Sequence, residues 1–139
     1  MGEPKDQPFK PLSNRDFDFF YEGLAQSRLL VQQCGECGAM RCPPGPACPE
    51  CHSFSWSPRP LSGTGVIYSY TVHHHPALAG FETPLPVALV EMDESIRMVG
   101  PMDGTDPTRI RIGAKIDTRF IDRNGVAGYR FVLTDGARP

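Results

Sequence analysis

The chain has 139 residues, a formal net charge of −2 at pH 7 and 40% hydrophobic residues. That length accommodates one domain, or a small domain with an appendage, with enough apolar side chains for a modest core. The near-balanced charge excludes a strong global field toward nucleic acid or anionic lipid, and no apolar run approaches a bilayer span.

The N-terminal stretch MGEPKDQPFKPLSNRD is polar and lacks an apolar h-region, so no secretory signal is expected and the simplest compartment is the cytoplasm. Residues 1–13 are read as a flexible segment. The next stretch is SNRDFDFFYEGLAQSRLL. Ser13 followed by Asp16 has the form of a capping box, and Asp16 and Asp18 suit the positive end of a helix. Phe17, Phe20, Tyr21 and Leu24 recur at three- and four-residue steps. The pattern predicts an amphipathic helix over 14–26, within a helical segment 14–29. Its aromatic stripe has two readings. It packs on its own domain, or Phe17, Phe20, Tyr21 and Leu24 face a partner, because the short segment that follows offers little core.

All five cysteines fall in CGECGAMRCPPGPACPEC, Cys34–Cys51. In a reducing compartment, clustered cysteines bind metal more often than they pair as disulfides, and an odd count fits a disulfide framework poorly. Cys34/Cys37 and Cys48/Cys51 form two C-x-x-C pairs separated by ten residues. Each such turn presents two sulfurs to one side, and two turns face to face complete a tetrahedral four-cysteine zinc site. Four thiolates around Zn2+ leave the site near −2, so backbone N–H groups at the knuckles should point at the sulfurs. Every coordination position is filled by protein, so the zinc is structural, and its binding is folding energy on the order of 10 kcal/mol. Iron is the competing metal, because CPEC is similar to a rubredoxin knuckle. The spacer is short for it, and a colourless protein would exclude it. Cys42 is spare and reads as a small buried side chain beside Pro43 rather than a redox group. His52 reads as a loop residue rather than a fifth ligand. The ribbon is expected over 30–60.

From here the pattern shifts to period two. GTGVIYSYTVHHH predicts a strand with Val66, Tyr68, Tyr70 and Val72 on one face. PLPVALVEMDE and SIRMVGPM predict a second and a third, joined by a turn at Asp93–Ser95. AKIDTRFID predicts a fourth, with Ile116, Thr118 and Phe120 on one side, and Asn124-Gly125 turns it into a fifth, VAGYRFVL. DGTDPTRIRIG between the third and fourth is a loop or a single helical turn. Five short antiparallel strands with an insert after the third is the order of an OB barrel, expected over 61–139. Gly63–Gly65 is no dinucleotide fingerprint, since a strand follows and not a helix. The glycines let the first barrel strand bend. The fold class is therefore mainly β: N-terminal helix, four-cysteine zinc ribbon with rubredoxin-like knuckles, five-stranded OB barrel.

At this point the chain resembles a family of zinc-ribbon/OB-fold proteins associated with acyl-CoA metabolism, long catalogued as a domain of unknown function. The resemblance runs from about Phe19 to Phe131. It rests on FFYEGLAQSRLLVQQCGECG, PPGPACPEC, LSGTGVIYSYTV, PLPVALVEMDE and IRIGAKIDTRFID. Two departures are Gly45, where the family often has Arg, and Ser95, where it often has Gly. The resemblance implies an accessory subunit of thiolase-fold proteins or hot-dog hydratases acting on acyl-CoA esters. Thiolases and the retro-aldolases that shorten steroid side chains are among those partners. It implies a two-plus-two heterotetramer with a thiolase-fold protein and an acyl-CoA substrate shared with it, and no catalytic residue in this chain.

The residues themselves offer little chemistry. His73 and His75 share a face of the first barrel strand, and His74 does not. No nucleophile or paired carboxylate has a recognisable setting, so catalysis by this chain is not expected. Binding has more support. Tyr68, Tyr70, His73 and His75, with Arg97, Arg109 and Arg111, are candidates for an acyl-CoA channel, the arginines for its phosphates. Lys115 and Arg123 extend that set of cations. An exposed Phe81 in LAGFETPLP suits a docking loop or channel lip. Two further functions are weighed: a single-strand nucleic-acid binder, opposed by the charge of −2, and a stand-alone acyl-CoA carrier.

Overall fold

The architecture is taken from a computed structural model that describes residues 13–77, 80–102, 106–123 and 125–134. Helix α1 (Asp18–Ala25) comes first. Strands β1 (Leu30–Cys34), β2 (Met40–Arg41) and β3 (Trp56–Pro60) follow. Then come β4 (Gly65–His73), β5 (Leu85–Met92), β6 (Arg97–Pro101), a 3-10 turn at Pro107–Arg109, β7 (Lys115–Arg123) and β8 (Val126–Leu133).

Helix α1 is shorter than the periodicity predicts, and its entry differs. The Ser13/Asp16 box does not form. The Asn14 side chain instead accepts from the Asp16 N–H at 2.9 Å. The Asp18 carboxylate accepts from the Asn14 N–H at 2.9 Å and from the Ser13 hydroxyl at 3.0 Å. These bonds hold residues 15–17 in a turn, and the helix starts at Asp18, four residues later than expected. It stops in a Schellman arrangement: Ser27 N–H donates to Leu24 C=O at 3.0 Å and Arg28 N–H to Gly23 C=O at 2.8 Å. Ser27, at φ 57°, occupies the left-handed position of that motif.

The ribbon strands form an antiparallel sheet in the order β2-β1-β3. The second sheet runs β6-β5-β4-β7-β8. A parallel bridge between Met102 and Phe131 joins the far end of β6 to β8. The Tyr129 hydroxyl adds a bond to the Val99 carbonyl on the same side. The two links close the sheet into a barrel, so neither β6 nor β8 is left as a free edge. Phe131, Ile67, Val90, Met92, Met98, Met102 and Ile116 fill it. Leu24, Leu29 and Val31 belong to the same buried cluster, so helix, ribbon and barrel share one core.

The turn at Asp93–Ser95 is present, with Ser95 at φ 64° and its N–H donating to Met92 C=O at 2.8 Å. Ile116 is buried and Thr118 and Phe120 are half-buried, as the alternation predicts. Asn124 of the last hairpin, and residues 1–12 of the N-terminal segment, lie outside the described residues. One facing assignment is corrected. The β4–β5 register shifts between Ile67 and Ser69, after which Tyr70 pairs with Ala88 and Val72 with Pro86, while Val66 pairs with Glu91. Partners share a face, so Tyr70 and Val72 lie opposite Val66. Gly63 turns at φ 89° ahead of β4, and a Cβ on Gly65 would lie 2.4 Å from the Glu91 carbonyl oxygen.

Candidate metal centre and binding surfaces

The two knuckles are built alike. In the first, Cys34 N–H donates to Ala39 C=O at 2.8 Å and Gly38 N–H to Cys34 C=O at 3.2 Å. In the second, Cys48 N–H donates to Ser53 C=O at 2.9 Å and His52 N–H to Cys48 C=O at 2.9 Å. The Glu36 N–H points at Cys34 Sγ and the Glu50 N–H at Cys48 Sγ, each at 3.4 Å. These are the N–H···S contacts that a doubly negative thiolate site calls for.

The sulfurs of Cys34, Cys37, Cys48 and Cys51 all lie within 4.8 Å of one another, with Cys34–Cys51 at 3.5 Å and Cys37–Cys48 at 3.6 Å. A zinc ion with four sulfurs at the usual bond length sets its sulfurs about 3.8 Å apart. The donor set fits a structural zinc ion with no open position. Cys34 and Cys48 are buried, and Cys37 and Cys51 face outward. The Cys37 and Glu36 N–H groups pull the Cys34 thiol down to about 6. The Cys51 and Glu50 N–H groups likewise lower Cys48. At Cys37 the Ala39 N–H pulls downward, but the Cys48 and Cys51 sulfurs and burial outweigh it, and the thiol is pushed up to about 12. Cys51 also rises: the Ser53 N–H opposes the shift, and the Cys34 sulfur and burial dominate. Four thiols in one place thus resist simultaneous ionisation, and a dication resolves that conflict.

Cys42 stands apart, half-buried, its thiol raised by burial. Behind the site is a clamp that sequence reasoning missed. Buried Gln32 accepts at Oε1 from Arg41 Nε and from the Gly45 N–H, both at 2.8 Å. Arg41 Nη2 donates to the Gly45 carbonyl at 3.2 Å. The pair fastens the proline-rich segment between the knuckles to the ribbon sheet. An Arg and a Gln in alternation carry no sign of burial; only the β1–β2 pairing of Gln32 with Arg41 puts them on one covered face.

The aromatic stripe packs on the protein's own modules. Phe19 meets Trp56 of the ribbon at 4.7 Å between ring centroids, and Phe20 meets Tyr129 of the barrel edge-on at 5.9 Å. Leu24, at 4% exposure, is a core residue and presents nothing to a partner. Phe17, Phe20 and Tyr21 stay half-buried because they border a cavity of about 530 Å3. Its other walls are Cys42–Pro44, Leu89, Arg97–Val99 and Tyr129.

The remaining candidates divide. Tyr68 and Arg97 come together, the guanidinium carbon 3.7 Å from the ring centroid, with Arg97 Nε 3.9 Å from Glu91 Oε2. Tyr70 lies on the other face of β4. His73 is tied to its own turn, Nε2 donating to the Pro76 carbonyl at 2.5 Å, and His75 is exposed. Phe81 is half-buried rather than free, with the Arg130 guanidinium 4.8 Å above its ring. Arg109 and Arg111 are exposed on the β6–β7 connection, where Asp106 caps the 3-10 turn by accepting from Thr108 N–H at 2.9 Å. Bonds from the Thr108 N–H and hydroxyl hold the Asp106 carboxyl below its ordinary value. Among the described residues, no helix is long and apolar enough to cross a membrane.

A "Probable enoyl-CoA hydratase alpha subunit" of Thermomonospora curvata is 45% identical over 114 residues, 82% of this chain and 36% of that protein. The "3-oxo-4,17-pregnadiene-20-carboxyl-CoA hydratase alpha subunit" of Mycobacterium tuberculosis is 37% identical over 117 residues, 84% of this chain and 37% of that protein. The chain thus spans little more than a third of the length of these two curated relatives. A solved "Ltp2-ChsH2(DUF35) aldolase" superposes with a TM-score of 0.83 at 40% identity, covering 89% of this chain and 98% of that one. Residues 22–57 match the rubredoxin-like zinc ribbon domain of ChsH2, and residues 58–120 match its C-terminal OB-fold domain. With cysteine knuckles, closed barrel and both domain matches in chain order, this chain belongs to the ChsH2 (DUF35) family.

Proposed function

We propose that this protein is a non-catalytic accessory subunit of a thiolase-like enzyme complex acting on acyl-CoA esters by aldolase or thiolase chemistry. The observation that carries this reading is the near-complete superposition on a chain of the solved "Ltp2-ChsH2(DUF35) aldolase", 98% of which is covered. The chain's own surface agrees. Its metal site is closed, and its best-placed histidine is engaged with its own backbone. No described group has the setting of a nucleophile with its base. In this reading chemistry falls to the partner, and this chain supplies assembly and part of the acyl-CoA channel.

A thiolase-fold protein is the proposed partner, in a two-plus-two heterotetramer in the cytoplasm. Phe17, Phe20 and Tyr21, with the Arg130-covered Phe81, are the proposed contacts. Tyr68, Arg97, Arg109 and Arg111 line the route for the CoA ester. A steroid side-chain acyl group is the finer proposal, supported by the pregnadiene-carboxyl-CoA named in one relative. The interface expected for a permanent complex buries more than about 2,000 Å2 in total.

Co-expression with the genomic neighbour, against this chain alone, tests the reading. Co-purification, a raised melting temperature and partner-dependent acyl-CoA cleavage are expected. A sharply melting monomer whose size and melting temperature ignore that neighbour would overturn it.

A further inference from the structure

The cavity at the junction of the three modules has walls from α1, from the segment after β2, and from β5, β6 and β8. Its size falls in the range of small-molecule sites, roughly 300–1,000 Å3. Its interior is mostly apolar: the Tyr129 hydroxyl is spent on the Val99 carbonyl, and beside the Tyr21 hydroxyl and the Cys42 thiol the walls are aromatic rings, prolines, Leu89, Met98 and Val99. A charged group seated deep among them would lose water for little recompense. Arg97 is the single charged residue of the lining. Its guanidinium is held over Tyr68, and its pairing with Glu91 at 3.9 Å is solvent-exposed and weak, so the fork has capacity for a second anion.

We propose that this cavity binds an amphipathic carboxylate, a straight-chain or ring-fused hydrocarbon acid whose apolar body fills the pocket and whose carboxylate meets Arg97. Every lining residue comes from this chain, but Phe17, Phe20, Tyr21 and Arg97 are also the partner and CoA contacts proposed above, so the chain free of partner is the decisive sample.

Cys42, in the cavity wall, is the reporter. The zinc-loaded full chain, free of partner, is alkylated with iodoacetamide, and Cys42 modification is followed by peptide mass spectrometry. Decanoate, decan-1-ol and decyltrimethylammonium are the probes. Decanoate should slow Cys42 alkylation saturably, by about fivefold or more. Decan-1-ol should need about tenfold higher concentration, the worth of a charge-assisted bond. The cation should not protect. Arg97→Gln should bring decanoate to the level of the alcohol, and Arg97→Lys should restore part of the difference. Val99→Glu, at an exposed position of the lining, should abolish protection by decanoate while the melting temperature holds. No protection by decanoate, or equal protection by all three probes, overturns the proposal. Neither outcome bears on partner co-purification, which is scored separately.

Discussion

His52 holds in the second knuckle the position that Gly38 holds in the first. Both sit one residue beyond a C-x-x-C pair, at φ 65° and 78°, and both donate their N–H back to the first cysteine's carbonyl. A histidine there bears the cost of a left-handed backbone that glycine adopts freely. His52→Gly should leave zinc stoichiometry unchanged and raise stability by up to about 1 kcal/mol. His52→Val should lower it, because a β-branched side chain fits that backbone worst. Thermal melts of the zinc-loaded variants decide, and a His52→Gly protein that loses zinc would mark His52 as a ligand.

The metal assignment separates Cys42 from the other four cysteines. Cys42→Ala should retain one zinc per chain. Cys48→Ala should lose the metal and, with it, folding free energy on the order of 10 kcal/mol, enough to unfold the ribbon. Metal analysis with circular dichroism checks both, and zinc lost from the first or kept by the second counts against the assignment.

Burial, then the nearby Cys42 and Tyr21, push the Tyr129 hydroxyl up to about 12. The folded state therefore favours the protonated phenol, and the unfolded chain titrates near 10. Its contribution is fully present below pH 10 and is lost as pH rises toward 12. Melting temperature should fall across that window, and Tyr129→Phe should fall less. Parallel curves for the two proteins would show that this hydroxyl does not drive the alkaline loss.

His73→Ala and His75→Ala, in the reconstituted complex, should weaken acyl-CoA turnover a few-fold at most. The His73 ring bonds its own turn, and His75 faces solvent. A drop of more than about a hundredfold, with assembly intact, is the scale of a lost general base and would place catalysis in this chain.

The metal site was legible because tetrahedral coordination imposes spacing on sequence: Cys34/Cys37 and Cys48/Cys51 announce it without any partner. The barrel strands were legible from period-two alternation, up to the one place where alternation fails. The register shift at Tyr68 reverses Tyr70 and Val72, and nothing in YSYTV signals it. The Asn14–Asp18 entry to α1 competes with Ser13/Asp16 within four residues, and only the observed bonds choose between them. The Gln32–Arg41 clamp and the cavity beside Cys42 depend on contacts between separate segments, which carry no local pattern.

The ribbon and barrel matches meet between residues 57 and 58, and that seam falls inside β3, Trp56–Pro60. β3 is laddered along its length to β1, and the core crosses from Leu24 through Val31 to Phe131. A cut at the seam would sever a strand and expose both halves of one interior. The two named domains therefore form a single cooperative cassette. A single melting transition is expected of it, and a cut between residues 57 and 58 should leave neither half folded.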